Sequence, residues 1–301
     1  MPAFSTIYPA PSGSGPAWLQ FDGSDMWTAN TSNSTITKFS LTGAILGTFG
    51  PALGIVAPDG LGFDGSHIWI GSNVSAIIVL ANLDGSLFAT YPTTPLGIFC
   101  IQGPYFAFDG TDMWVTSQLA DTVVQVSVAG TLVATVSVGN GPSCVLFDGT
   151  FIWVGNATDG TVTKIDPTTA TVVGTYPVGS LPFSLAFDGT NIWCANLGDN
   201  TVTKLVAATG ALVGTYPVGT QPTSLVYGSG SVWCVNQLDN TVSQLNPATG
   251  ALTALWTVGN NPLSLAFDGS YVWCANQLDN TVSTNRSASV STQPIAQVVT
   301  A

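Results

Sequence analysis

The chain has 301 residues, 46% of them hydrophobic and only 7% charged, a composition that supports a large buried core and excludes a disordered chain. Its formal net charge is −12: all 16 acidic residues are aspartate, the basic residues are Lys38, Lys164, Lys204 and Arg286, and His67 is the single histidine. Four scattered cations exclude a nucleic-acid-binding role and an anionic membrane surface, and no uninterrupted apolar run is long enough for membrane insertion.

The chain opens Met1-Pro2-Ala3-Phe4, with neither a basic n-region nor a long apolar h-region, so no Sec signal is visible. Residues 4–9, Phe4 to Pro9, match the last strand of a repeat that recurs seven times downstream. The anchors of the repeat are Trp27, Trp69, Trp114, Trp153, Trp193, Trp233 and Trp273, spaced by 42, 45, 39, 40, 40 and 40 residues. Six copies carry Phe-Asp-Gly ahead of the Trp; the copy of Trp233 has Tyr227-Gly228-Ser229.

The copy from Pro182 shows the unit most clearly. Strand a is read at Ser184–Phe187, followed by an Asp-Gly turn; strand b at Asn191–Asn196, followed by an Asp-Asn turn. Strand c is read at Thr201–Leu205 and, after a Thr-Gly turn, strand d at Ala211–Tyr216. Four antiparallel strands in about 40 residues, repeated seven times, predict an all-β, seven-bladed β-propeller. The last copy supplies only strands a, b and c before Thr284, so the strand at 4–9 is expected to complete the last blade and close the ring. Residues 1–284 then form the propeller, and residues 285–301 a C-terminal tail or extra strand.

Five cysteines are present, and Cys194, Cys234 and Cys274 share one repeat position directly after the Trp. Equivalent positions in successive blades do not converge, so free buried thiols are expected, in keeping with synthesis in a reducing compartment.

The strings Phe187–Asn196 and Asn200–Thr203 resemble YVTN-type propeller repeats and, more loosely, NHL and streptogramin-lyase-like propellers, over residues 4–284. This resemblance is specific for fold and weak for function. Streptogramin-lyase-like enzymes use His and Glu with a divalent metal, sialidase-like propellers an Arg cluster, and lactonase-like and quinoprotein propellers Glu, Arg or Lys at the channel. None of these sets can be assembled from this composition, so the chain is expected not to be an enzyme and to need no cofactor or metal. The lone His67, without a partner base, makes no catalytic dyad.

The Asp of each Asp-Gly turn (Asp22, Asp64, Asp109, Asp148, Asp188, Asp268) is read as turn chemistry rather than a ring of cation ligands. The seven Trp are read as packing anchors. Binding residues are sought where the repeat breaks. The connection 91–105 is too long and apolar, with Leu96, Ile98, Phe99, Ile101 and Tyr105; a shorter insertion carries Leu53 and Ile55. Three residues before the strand-a Phe (Tyr227 in the Trp233 copy), Ser184, Ser224 and Ser264 give way to Trp18, Gly60, Tyr105 and Cys144 in the other copies. These residues either shape a ligand site at the channel mouth or pack against one another.

The expected function is a non-catalytic binding or structural propeller displayed on an exterior surface, such as a virion (phage) spike or fibre component or a cell-surface module. It would meet a protein partner, or itself, through residues 91–105 and 285–301. The alternatives are a streptogramin-lyase-like or lactonase-like enzyme with an Asp-bound metal, and a small-molecule-binding module at the Trp18/Tyr105 mouth.

Overall fold

The computed structural model describes residues 1–72, 74–100 and 105–286. These form seven sheets of four antiparallel strands, each a consecutive a-b-c-d meander apart from the last, and together they make a seven-bladed propeller. The turn residues set the strand ends. In the blade of Trp193 the strands run Pro182–Phe187, Asn191–Asn196, Thr201–Val206 and Leu212–Pro217, each within two residues of the sequence reading.

The last blade joins the two ends of the chain. Strand Thr6–Pro9 pairs antiparallel with Thr281–Thr284, with Tyr8 opposite Val282. It starts two residues later than the sequence reading because the backbone at 2–4 is engaged elsewhere. Phe4 N donates to Thr257 O (3.0 Å), and Thr257 N to Pro2 O (3.0 Å), on the edge of the preceding blade. The N-terminal segment thus ties two blades together before closing the ring.

Strand b is the buried layer of every blade, and all seven anchor Trp are buried. The Asp-Gly turn explains the fixed spacing to the Trp. Asp188 Oδ1 accepts the Thr190 and Asn191 amides (2.9 and 2.7 Å), while Oδ2 accepts Trp193 Nε1 (2.8 Å). The same Trp–Asp bond recurs for Asp22, Asp64, Asp109, Asp148 and Asp268 at 2.7–2.8 Å. In the one copy without Asp, Trp233 donates instead to the Gly228 carbonyl at 3.0 Å. A buried indole N–H needs an acceptor, and the turn supplies it.

Blades are stitched by side chains that reach the next blade. The strand-d aromatic lies over the glycine of the next blade's c–d turn. A Cβ on Gly210 would come within 2.0 Å of the Tyr176 ring, and one on Gly250 within 2.1 Å of Tyr216. Only glycine permits this approach and the left-handed turn (φ +74 and +73). Three of the four basic residues serve the same seam: Lys38 Nζ donates to Leu83 O (2.9 Å), Lys164 to Ala207 O (2.7 Å) and Lys204 to Pro247 O (2.6 Å).

Candidate functional site

The axis of the ring is lined at strand a, where the position three before the strand-a Phe (Tyr227 in one copy) contributes a side chain from every blade except that of Trp69, which has Gly60 there. On one side these are Ser184, Ser224 and Ser264. Each hydroxyl accepts a backbone amide of the following blade, from Leu225 (2.9 Å), Leu265 (2.9 Å) and Leu19 (3.2 Å) respectively. On the other side the position holds Trp18, Tyr105 and Cys144, which have bulk in place of the hydroxyl. The asymmetry leaves a polar, stitched half and an aromatic half.

Trp18 and Tyr105 meet edge to face with ring centroids 5.0 Å apart, and Tyr105 meets Phe183 across the axis at 6.2 Å. Above them, on the face of the d–a and b–c connections, opens a cavity of about 310 Å3. Its floor and walls include Trp18, Tyr105, Phe183 and Leu263, and its polar lining includes Asp59, Thr223 and Gln237. A narrower space of about 120 Å3 continues along the axis between Trp18, Cys144 and the three serines. Burial, with the charge of Asp59 second, pushes the Tyr105 phenol well above its ordinary range, so it stays protonated. Burial likewise pushes Cys144 up to about 12, so this thiol is no nucleophile at neutral pH. The mouth therefore offers aromatic walls with a carboxylate in their lining, a setting for an apolar or cationic group.

Of the residues singled out by the sequence, Trp18 and Tyr105 line this cavity. Leu53 and Ile55 do not reach it: both are buried in the core between the blades of Trp27 and Trp69. Leu96 and Ile98 are buried against Trp69, Met113 and Val124. These four shape no part of the mouth and fill the core instead, because a longer connection between wedge-shaped blades has apolar space to fill before it reaches solvent. Phe99 remains 45% exposed and borders a separate cleft of about 240 Å3 with Val74 and Leu119. Ile101 lies outside the described residues, as does the tail beyond Arg286. The described part of the tail continues along the last blade, where the Arg286 carbonyl accepts Ser5 and Thr6 hydroxyls at 3.0 Å and its guanidinium lies over Tyr271.

Asp59, Phe183 and Leu263 were missed by the sequence reading. They occupy the second position of strand a, one before the position compared between copies, and that adjacent column carried the signal. The expectation that His67 lacks a partner base is corrected. Its Nδ1 lies 3.2 Å from Asp64 Oδ2 and its ring stacks on Phe88 at 3.9 Å. Asp64 is also committed to Trp69 and to two turn amides. Among the described residues no three His, Cys, Asp or Glu side chains converge as a metal site.

No protein-family model and no curated protein matches the sequence. The resemblance to YVTN-type repeats thus has no family-level match behind it. Solved structures do superpose on the chain. Virginiamycin B lyase from Staphylococcus aureus is 15% identical, over 93% of this chain and 97% of that one, with a TM-score of 0.77. A streptogramin B lyase is 18% identical over 94% and 99%, TM-score 0.77. Kuenenia stuttgartiensis hydrazine synthase is 18% identical over 93% and 97%, TM-score 0.75. At such identities the likeness shows the fold.

These likenesses overturn the expectation that the chain is not an enzyme. That expectation weighed the inventory of His, Glu and Arg, whereas the architecture these residues build is one on which lyases of similar length are constructed. The comparisons lend no support to a structural role on a virion or cell surface.

Proposed function

We propose that the chain is a ligand-binding propeller whose axial mouth, walled by Trp18, Tyr105 and Phe183, takes a small apolar or aromatic molecule bearing a cationic group. The observation that carries this reading is the aromatic cavity of about 310 Å3 with Asp59 in its lining. Its size falls at the lower end of ordinary ligand pockets. The net charge of −12 favours the approach of cations over anions.

A second reading is favoured by the superposition on the lyases, one of which was solved as a catalytically inactive variant with quinupristin. In it the molecule held at the mouth is also turned over, with the Asp59 carboxylate and the Tyr105 phenol as the titratable groups of the cavity lining. Both readings are tested with quinupristin and with a simple aromatic amine as probes. Titration calorimetry is expected to detect binding, and Trp18→Ala to weaken it about 30-fold, the equivalent of roughly 2 kcal/mol for a buried aromatic anchor. Failure of both probes to bind, or an affinity unchanged in Trp18→Ala, sinks the binding reading. Chromatography of quinupristin after incubation tests turnover, which requires a product that forms with the parent chain and not with Asp59→Asn.

A further inference from the structure

The outer rim of the propeller is built unlike its two faces. In each of the first six blades strand d carries a β-bulge at the same place, where one extra residue is inserted opposite strand c. In three successive blades the extra residue is Val133, Val173 and Val213. A regular strand would alternate its side chains, whereas the bulge lets two neighbours both face outward. The outward pairs in these blades are Leu132/Val133, Val172/Val173 and Leu212/Val213, between 39% and 61% exposed. The first two blades carry apolar pairs of the same kind.

None of the seven strands d contains a charged residue, although each is the outermost strand of its sheet. Fifteen of the 16 aspartates lie in turns or at the strand ends next to them, on the two faces of the disc, and Asp59 sits inside strand a at the axial cavity. Edge strands of proteins that stay apart are commonly guarded by charge, above all by lysine. Here the charge that could guard the rim is placed on the faces.

We propose that the rim is an interaction surface for a second copy of this chain, so that propellers associate side by side. Three observations select that occupant. The same pair recurs on five consecutive blades, so the surface repeats in many directions, as a self-associating rim does and a socket for one foreign partner does not. Two identical strand edges meeting antiparallel are self-complementary, the isologous arrangement. The carboxylate-bearing faces repel one another, which leaves the uncharged rim as the approach with least electrostatic cost. One pair is small beside the roughly 1,600 Å2 of a stable interface, so the contact engages neighbouring blades and depends on concentration. This surface is distinct from residues 91–105 and from the C-terminal tail.

The test is sedimentation velocity on the full chain from micromolar to sub-millimolar concentration. The weight-average sedimentation coefficient is expected to rise with concentration. The combined variant Val133→Glu, Val173→Glu, Val213→Glu should move that rise at least about tenfold higher in concentration, some 1.4 kcal/mol. The variant Leu119→Glu, Leu238→Glu, Leu278→Glu, which adds the same charge at exposed b–c turn positions, should leave it unchanged. If circular dichroism shows the rim Glu variant unfolded, Val133→Thr, Val173→Thr, Val213→Thr takes its place with the same expectation. The proposal is overturned by a full chain that stays monomeric throughout, by a rise that persists in the folded rim variant, or by equal loss in the face variant.

Discussion

Removing the Asp188 carboxylate tests whether the Asp-Gly turn is the acceptor on which the buried anchor depends. In Asp188→Ala the Trp193 indole N–H, fully buried, loses its 2.8 Å acceptor. An orphaned buried donor costs about 1–3 kcal/mol. The Thr190 and Asn191 amides also lose theirs, but they lie at a solvent-facing turn and add only about 1 kcal/mol together. A total near 3 kcal/mol lowers Tm by roughly 5 °C in a chain of this size. Asp188→Asn keeps an oxygen for the two amides and forfeits only the indole acceptor, so about two-thirds of the loss is expected. The pH dependence has a definite sign. Burial works against the Asp188 carboxylate, but the bonds from Trp193, Asn191 and Thr190 outweigh it and hold its pKa below the ordinary value. That contribution is present above about pH 4, the ordinary carboxylate value, and fades as pH falls through the lower folded-state value. The Tm gap between the parent chain and Asp188→Ala should therefore narrow in acid. Differential scanning calorimetry measures both effects. A drop within about 1 °C at neutral pH, or a gap that widens in acid, would refute the reasoning.

Two glycines separate backbone strain from steric contact. Gly189→Ala meets open space at φ +94 and should cost about 1–2 kcal/mol for the left-handed conformation alone; Gly210→Ala adds a Cβ against Tyr176 and should cost about 3 kcal/mol or more by thermal melting. Equal losses would show that the ring-over-turn contact is not tight. The five free thiols should resist a thiol reagent at pH 8 in the native state, since burial pushes Cys100 up to about 11 and Cys144 to about 12, with Cys194, Cys234 and Cys274 raised as well. All five should react in denaturant; fast native labelling of any of the four fully buried thiols would contradict the packing.

The repeat made the architecture readable from the chain alone. Seven Trp at near-constant spacing, each with its own turn residues, specify seven identical wedges by local chemistry, and the strand at 4–9 matched the one element the last copy lacks. The Trp–Asp bond was latent in the same spacing, since an Asp five residues before a Trp is meaningless until the hairpin folds the pair together. What only the tertiary structure decided is where the irregular residues go. Leu53, Ile55, Leu96 and Ile98 have the sequence signature of a surface patch, yet the wedge-shaped gap between blades swallows them, because burying apolar area outweighs leaving a loop in water. Trp18, Asp59, Tyr105 and Phe183 come from four different repeats and lie up to 165 residues apart. Only ring closure brings them to one axis, and no local pattern could report that meeting.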